Sequence, residues 1–566
     1  MSTELKVSES KRIAALPTKE LVITASVLAQ LNAELRVSSK YELKPLQAAA
    51  LLSARSAGGL LGVLGCGTGK TLLSGLLPTY LAALRPLLLV PAALVEKTHV
   101  ELAEWATHFR VFPELKVLSY ERLSRPSGLK ELHTYSPDLI ICDEAHNLKS
   151  LSSARTLRLG GYLEANEGCK ACFLSGTLLN KSIGDIAHLA DWALGAGSPF
   201  PRDLRIVAEW DALIFGGDDL EFAAQRFKPM LRFGDAPREA LFARLSTCDG
   251  VVLTDKDTVS SSLNIFKVQL QPPKDLQKMI GECIESGVAT ALADLDPETL
   301  LSVEASSHLW SNADEFVLRA LSQMYSGFLY FWEWENNEPD VEWLEARKNW
   351  GKTCRKILEF GLEGFDTPGM VQQNFEQLPA EVIRVAERAY HAWFSTGLFK
   401  KDKPPKRAVW VSDYLLAGVE KLFKDIQKRK KLPVLIWVNF QELGDKLSSL
   451  LNLPYVKGGE EIPAFEGQSL ILSIKSHGTG KNLQAYSQNI VASPIGDPAT
   501  WEQLLARTHR MGQPADEVDY YVLSHTIFGG ALSRAKYMAK AVGSCTGAEQ
   551  RLVYASTSKY LGGRDE

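Results

Sequence analysis

Cysteine is scarce in this chain: eight are scattered over 566 residues, a density that fits a reducing compartment better than a disulfide scaffold. The one close pair, Cys169 and Cys172, has CxxC spacing, but no second pair or matched histidines follow to complete a four-ligand zinc site. Cys172 begins the apolar run CFL, so a buried strand residue is expected there. Also lacking is any stretch of eighteen apolar residues free of charge or punctuation, which argues against a transmembrane helix. The opening MSTELKVSESKRIAAL has neither the basic flank nor the apolar centre of a secretion signal. The expectation is a soluble protein with no membrane partner, cytoplasmic in a bacterium or a virus's host and nuclear in a eukaryote. Positive charge is not in excess either. Lys and Arg number 63 against 67 Asp and Glu, a net charge of −4. That balance speaks against a surface coated in nucleic acid and leaves room for a local phosphate-binding groove. Internal repeats and low-complexity tracts are missing.

What is present is apolar and rhythmic. Hydrophobic residues make up 45% of the chain, and the length suggests three or four units. Between 41 and 199 the runs LLGVL (60–64), PLLLV (86–90), LKVLS (115–119), DLIIC (138–142) and ACFLS (171–175) alternate with helix-like stretches. Such alternation predicts parallel strands covered by helices. From 200 to 405 the rhythm stops. This stretch is read as a mainly helical insertion, EFVLRALSQMYSGFLYFW (315–332) included, closed by the linker-like KKDKPPKR (400–407). From 406 to 530 the rhythm resumes with VLIWV (434–438), SLILSI (469–474), NIVAS (489–493) and VDYYVL (518–523). Residues 1–40 are read as an N-terminal extension and 531–566 as a helical tail. The fold class is therefore α/β, with two parallel-sheet units flanking a helical insertion.

Chemistry concentrates at the ends of these strands. Gly65-Cys66-Gly67-Thr68-Gly69-Lys70-Thr71 follows the first run directly. Glycines let the backbone curl so that successive N–H groups face a phosphate, and the following helix aims its positive end at the same point. Lys70 is placed to hold β- and γ-phosphates, and Thr71 to offer its hydroxyl to Mg²⁺. Leu64 stands where a strict P-loop has its first glycine. The run DLIIC ends in Asp143-Glu144-Ala145-His146, two carboxylates at a strand tip, where open α/β sheets put their chemistry. Asp143 can hold Mg²⁺, and Glu144 can polarise a water.

Together these segments resemble motifs I and II of superfamily 2 helicases. Ser175-Gly176-Thr177 resembles motif III. Gly176-Thr177-Leu178-Leu179-Asn180 lacks the proline usual in the SNF2 group. Leu43-Lys44-Pro45-Leu46-Gln47 is similar to that group's opening motif, which makes Gln47 the expected adenine reader. Val90-Pro91 and Ser119-Tyr120-Glu121-Arg122-Leu123 match the positions of motifs Ia and Ib. Ser476-His477-Gly478-Thr479-Gly480-Lys481-Asn482-Leu483 resembles motif V, and Gln503-Leu504-Leu505-Ala506-Arg507-Thr508-His509-Arg510-Met511-Gly512-Gln513 closely resembles the SNF2 form of motif VI.

The resemblance implies two RecA-like lobes, ATP and Mg²⁺ between them, and DNA, in duplex form, as partner. It assigns Arg510 as an arginine finger, supported by Arg507, because a planar guanidinium can meet two equatorial oxygens of the γ-phosphoryl. Gly67, Thr68, Gly69, Gly480 and Gln513 join Gln47, Lys70, Thr71 and Asp143 as nucleotide contacts. Ser119, Thr177, Lys481 and Asn482 are expected to touch DNA, and His146 and His509 to couple the two sites. The expected activity is a DNA-dependent ATPase that translocates on duplex DNA. The alternatives are a strand-separating DNA or RNA helicase and, in another class, an inactive motor fold serving as a DNA-binding scaffold. Lys428-Arg429-Lys430-Lys431 reads as a helix end with favourable charge. Phe328, Tyr330, Phe331, Trp332 and Trp334 read as helical core packing. The insertion is a candidate surface for a protein partner. Pathway and oligomeric state are not legible.

Overall fold

The computed structural model describes residues 3–561 apart from 66, 180–181, 217–219, 255–258, 260, 287–319, 335–337, 339, 361, 363–364, 366, 403, 479–481, 525 and 548. Two parallel sheets organise it. In the first, β1 (Leu60–Val63), β2 (Pro86–Val90), β3 (Lys116–Ser119), β4 (Leu139–Asp143), β5 (Lys170–Ser175) and β6 (Val251–Leu253) lie in the order β3-β2-β4-β5-β1-β6. The second is built from β7 (Ser262–Gln269), β10 (Val434–Val438), β11 (Tyr455–Val456), β12 (Leu470–Ser473), β13 (Gln488–Val491), β14 (Glu517–Ser524) and β15 (Ser556–Lys559), in the order β11-β12-β10-β13-β14-β7-β15. A separate antiparallel pair joins β8 (Phe328–Trp332) to β9 (Lys406–Trp410). The architecture is α/β and compatible with two RecA-like lobes. No helix among the described residues is long and apolar enough to cross a membrane.

The continuous apolar runs form strands because both faces of each sheet are covered. In the first lobe Leu61, Val63, Leu87, Leu89, Ile140, Cys142 and Phe173 point into one core. Leu60, Leu88, Val90, Leu139, Ile141, Cys172 and Leu174 point into the other. The second lobe repeats the division, with Val434, Ile436 and Ile490 on one side and Leu435, Trp437 and Val491 on the other. Each such side chain contributes about 1.5–3 kcal/mol on full burial.

Several expected boundaries move. The N-terminal extension belongs to the first lobe, since Ile13 and Leu31 are buried in its two cores. Residues 200–405 are not one helical body. Trp210 and Leu241 complete a first-lobe core, β6 enters the first sheet, and β7 enters the second. The run FLYFW is a strand, not a helix. It pairs with a strand that begins at the end of the supposed linker, where Phe331 faces Arg407, and Phe328, Leu329 and Phe331 pack on the second lobe. Residues 315–319 of the longer run lie outside the described residues. A distinct helical unit remains between 341 and 400, with small cores around Trp350 and Trp343. The tail is not purely helical either, because it ends in β15, parallel to β7.

The helix Thr526–Thr546 ties the lobes together. Leu532, Ala535 and Ala539 are buried in a second-lobe core, whereas Ala541, Val542 and Cys545 are buried in a first-lobe core. Just beyond it, the Arg551 guanidinium pairs with Glu502, and the Arg551 N–H donates to the same carboxylate at 2.7 Å. The side chains of this pair are 4% and 14% exposed, so removing one partner strands a buried charge. Arg551→Ala is expected to cost about 3–5 kcal/mol in urea unfolding, and adding Glu502→Gln should restore part of it.

Candidate active site between the lobes

The C-terminal tips of β4, β5 and β1 stand side by side at one edge of the first sheet. The chain leaves β1 in the glycine loop, where Gly67 (φ +83°) and Gly69 (φ +84°) hold the left-handed conformation that glycine accepts without strain. Open space lies where a Gly67 Cβ would project, while a Cβ on Gly69 would meet Gln47 Nε2 at 2.3 Å. The loop feeds the helix Lys70–Tyr80, whose first turn carries Thr71. Lys70 Nζ donates to the carbonyls of Leu64 and Gly65, both at 3.2 Å, and Thr68 Oγ1 donates to Gly65 O at 2.9 Å. The neighbouring β5 turn fits tightly: a Cβ on Gly176 would lie 3.1 Å from both Gly65 Cα and Leu64 O.

Asp143 and Glu144 end β4 in a tight turn. Glu144 adopts φ +52° and ψ +47°, a region that costs a non-glycine residue about 1 kcal/mol or more. Hydrogen bonds hold it there: the Glu144 N–H donates to Asp143 Oδ1 at 2.9 Å, and the Asn147 side chain donates to Glu144 O at 2.9 Å. Buried Tyr120 donates its hydroxyl to Asp143 O at 2.8 Å. Burial raises the Asp143 carboxyl to about 6, with the adjacent Glu144 charge adding to the effect. Burial also opposes charge on Glu144. There it is outweighed by Lys70, His146 and Arg507, which hold that carboxyl well below the usual carboxylate range.

Arg507 belongs to the other lobe. It sits on the helix Pro498–Thr508, is 6% exposed, and donates Nε to Gln503 O at 2.9 Å. One turn earlier on that helix, Gln503 Nε2 lies 3.3 Å from Thr177 Oγ1 and 3.5 Å from His146 Nε2. The glycine loop, the acidic box, the β5 tip and the Gln503–Arg507 face therefore meet in one cleft.

Other expected contacts lie elsewhere. Gln47 is buried, accepting from the Lys44 N–H at 2.9 Å and donating to Thr68 O at 3.1 Å. Its amide here supports the loop. Arg510 donates to Asn482 Oδ1, so these two meet each other. Gln513 is turned inward, donating to Tyr486 O and Thr508 O at 3.1 and 2.8 Å and accepting from the Ala515 N–H at 3.0 Å. That pattern folds its own loop. Ser119 caps the short helix Tyr120–Leu123 through Arg122 N at 3.0 Å. Thr177 is 5% exposed, and its hydroxyl lies against Gln503. His509 is buried against Ser261 O at 2.8 Å, on the chain segment that joins the sheets. Gly480 and Lys481 lie outside the described residues, as does Asn180.

Thr254, at the end of β6, escaped the sequence reading. Its Oγ1 accepts from the Gly65 N–H at 2.8 Å and donates to Val63 O at 3.0 Å, tying the loop's root to a strand far along the chain. No motif marks it. Gln503 was legible only as part of a motif; its separation from Arg507 by one helical turn was the available clue. No family model matches the chain, and no curated protein sequence matches it.

The raised Asp143 carboxyl has a consequence for stability. Its folded value of about 6 exceeds the ordinary 3.8, so the folded state is penalised above about pH 6 and the penalty fades as pH falls toward 3.8. Asp143→Asn is expected to stabilise the nucleotide-free protein by roughly 1–3 kcal/mol at neutral pH. Urea unfolding between pH 5 and pH 8 should show that gain shrinking on the acid side.

Proposed function

We propose that the chain is an ATP-hydrolysing motor that couples turnover between its lobes to movement along duplex DNA. The observation that supports this most is the meeting of Lys70, Asp143 and Glu144 of one lobe with the charge of Arg507 from the other. A site of this kind has the residues that phosphoryl transfer requires, and it is whole only when both lobes take part.

In this reading the loop N–H groups and Lys70 take the phosphates, Lys70 exchanging the carbonyls of Leu64 and Gly65 for phosphate oxygens. The open space above Gly67 and the hard oxygen donors of Thr71 and Asp143 suit a triphosphate with Mg²⁺. Thr71 and Asp143 would hold the ion, which neutralises phosphate charge when bound. Glu144, ionised at neutral pH, orients the attacking water and accepts its proton. Arg507 stabilises the charge that spreads over the transferred group. Arg510 adds to this on leaving Asn482, the step by which the finger expected from the motif becomes available. Gln47 reads adenine on releasing Thr68 O.

ATP binding then favours a closed cleft and product release an open one. If each lobe holds the DNA backbone, the cycle becomes stepwise movement. Duplex DNA as the track rests on the resemblance of motifs V and VI.

The test is ATP turnover with duplex DNA, single-stranded DNA and RNA at fixed salt, beside triplex displacement as a measure of movement. Duplex should stimulate most. Lys70→Ala and Glu144→Gln should each lower stimulated turnover by about 10²-fold or more while DNA binding survives. Arg507→Ala and Arg510→Ala should still bind ATP but lose about 10³-fold in rate. Near-normal turnover in Lys70→Ala would end the motor reading.

A further inference from the structure

We infer that the cavity beside the segment joining the two sheets is a binding site for a small hydroxyl-rich ligand bearing an amine, such as an amino sugar, and that its occupancy restrains that segment. Such a site is additional to the cleft between the lobes and needs no ATP hydrolysis to operate.

The cavity holds about 480 Å³, within the roughly 300–1,000 Å³ of small-molecule sites. Stretches distant in sequence close round it. Ser261 comes from the joining segment, and Ser262 and Asn264 from the start of β7. His509 follows the helix that carries Arg507, while Glu549, Tyr554 and Ser556 come from the tail. Among the described residues, Gln47, the glycine loop and the acidic turn take no part in its walls.

The polar groups of the walls define the ligand. Ser261 is 6% exposed, and its hydroxyl is buried without a hydrogen-bond partner. Buried Gln550, next to Glu549, likewise has no partner for Oε1. Folded proteins rarely leave such groups unsatisfied unless a ligand or water completes them. Ser262 and Ser556 add two exposed hydroxyls. Asn264 commits its amide nitrogen to Asp519 Oδ1 at 3.0 Å, which leaves the carboxamide oxygen to accept from a ligand. Hydroxyls and a carboxamide suit a partner whose own groups both donate and accept, as sugar hydroxyls do. The His509 and Tyr554 rings stand 6.1 Å apart, tilted by 55°, and offer an apolar wall to a sugar's C–H face. Among the described residues no Lys or Arg lines the cavity, whereas Glu549 does. An anion would meet repulsion there, and an amine a counter-charge.

The same walls give the ligand a hold on the fold. His509 Nε2 donates to Ser261 O at 2.8 Å, and the Ser262 N–H donates to Asp516 O at 2.7 Å. A ligand bonded to both Ser261 and Ser556 adds a further tie between the joining segment and the second lobe. Any change in how the lobes meet passes through that segment, so occupancy lowers its freedom.

The full chain is titrated calorimetrically with the glucosamine disaccharide, with cellobiose as its amine-free counterpart and with lactobionate as an anionic one. The amino disaccharide should bind with a Kd at or below about 1 mM. Cellobiose should bind about threefold more weakly, the scale of one exposed ion pair, and lactobionate not at all. Glu549→Gln should bring the amino disaccharide to the level of cellobiose. Ser556→Phe, which fills the cavity from an exposed position, should abolish binding of both. Backbone hydrogen exchange over 261–264 should slow with the amino disaccharide in the unsubstituted chain and stay unchanged in Ser556→Phe.

No binding of the amino disaccharide at about 10 mM, or binding that Ser556→Phe leaves intact, would overturn the site. Lactobionate binding as well as the amino disaccharide would overturn its assigned chemistry. Unchanged exchange on binding would overturn the restraint. A chain that binds the amino disaccharide as expected and hydrolyses no ATP would end the motor reading and leave this site standing.

Discussion

Two carboxylates buried side by side at the tip of β4 are tolerable only if cations surround them. Asp143 takes the cost of that crowding, with its carboxyl raised to about 6, while Glu144 stays ionised because Lys70, His146 and Arg507 favour its charge. Of these, the Arg507 guanidinium comes from the opposite lobe. The electrostatics of the first lobe's acidic edge are thus incomplete without the second lobe, and this dependence is what ties the glycine loop, the acidic box and the Gln503–Arg507 face into one site.

The rest of the architecture keeps the two lobes within reach of each other. The chain passes from β6 in one sheet to β7 in the other. His509 grips the connecting segment at Ser261 O, and the helix Thr526–Thr546 is buried in both lobes' cores. Buried Arg551 anchors the helix that carries Gln503 and Arg507, through Glu502. Any relative movement of the lobes must work against these ties, so packing limits its amplitude. The unit between 341 and 400 has a core of its own around Trp350, and around Trp343 it packs on Trp332 at the end of β8.

The departures from expectation share a cause: short segments whose partners are distant in sequence. FLYFW carries five apolar residues in a row, a pattern that suits a buried helix or a strand equally, and β9 decided the matter by pairing with it. The apparent linker KKDKPPKR ends as that partner because its prolines precede the paired residues. β6, β7 and β15 are likewise individually unremarkable and become strands by adding to sheets already formed. Gln513 and Ser119 sit where the resemblance puts ligand contacts, but local backbone groups claim their hydrogen bonds first.

By itself the sequence determined the periodic part of this protein. Continuous apolar runs had to become doubly covered parallel strands, and a glycine loop and paired acids after such runs had to fall at strand tips, because strand period and turn chemistry are local. Only the tertiary structure decided which residues face one another across the cleft. Arg507 directs its charge at Glu144; Gln503 meets His146 and Thr177; and Thr254 braces the loop from a strand remote in sequence. Those pairings depend on helix rotation and lobe docking, which are fixed by the burial of Trp501, Leu504 and Leu505 and of the two-lobe helix, and side-chain packing of that kind has no signature at fixed sequence spacing.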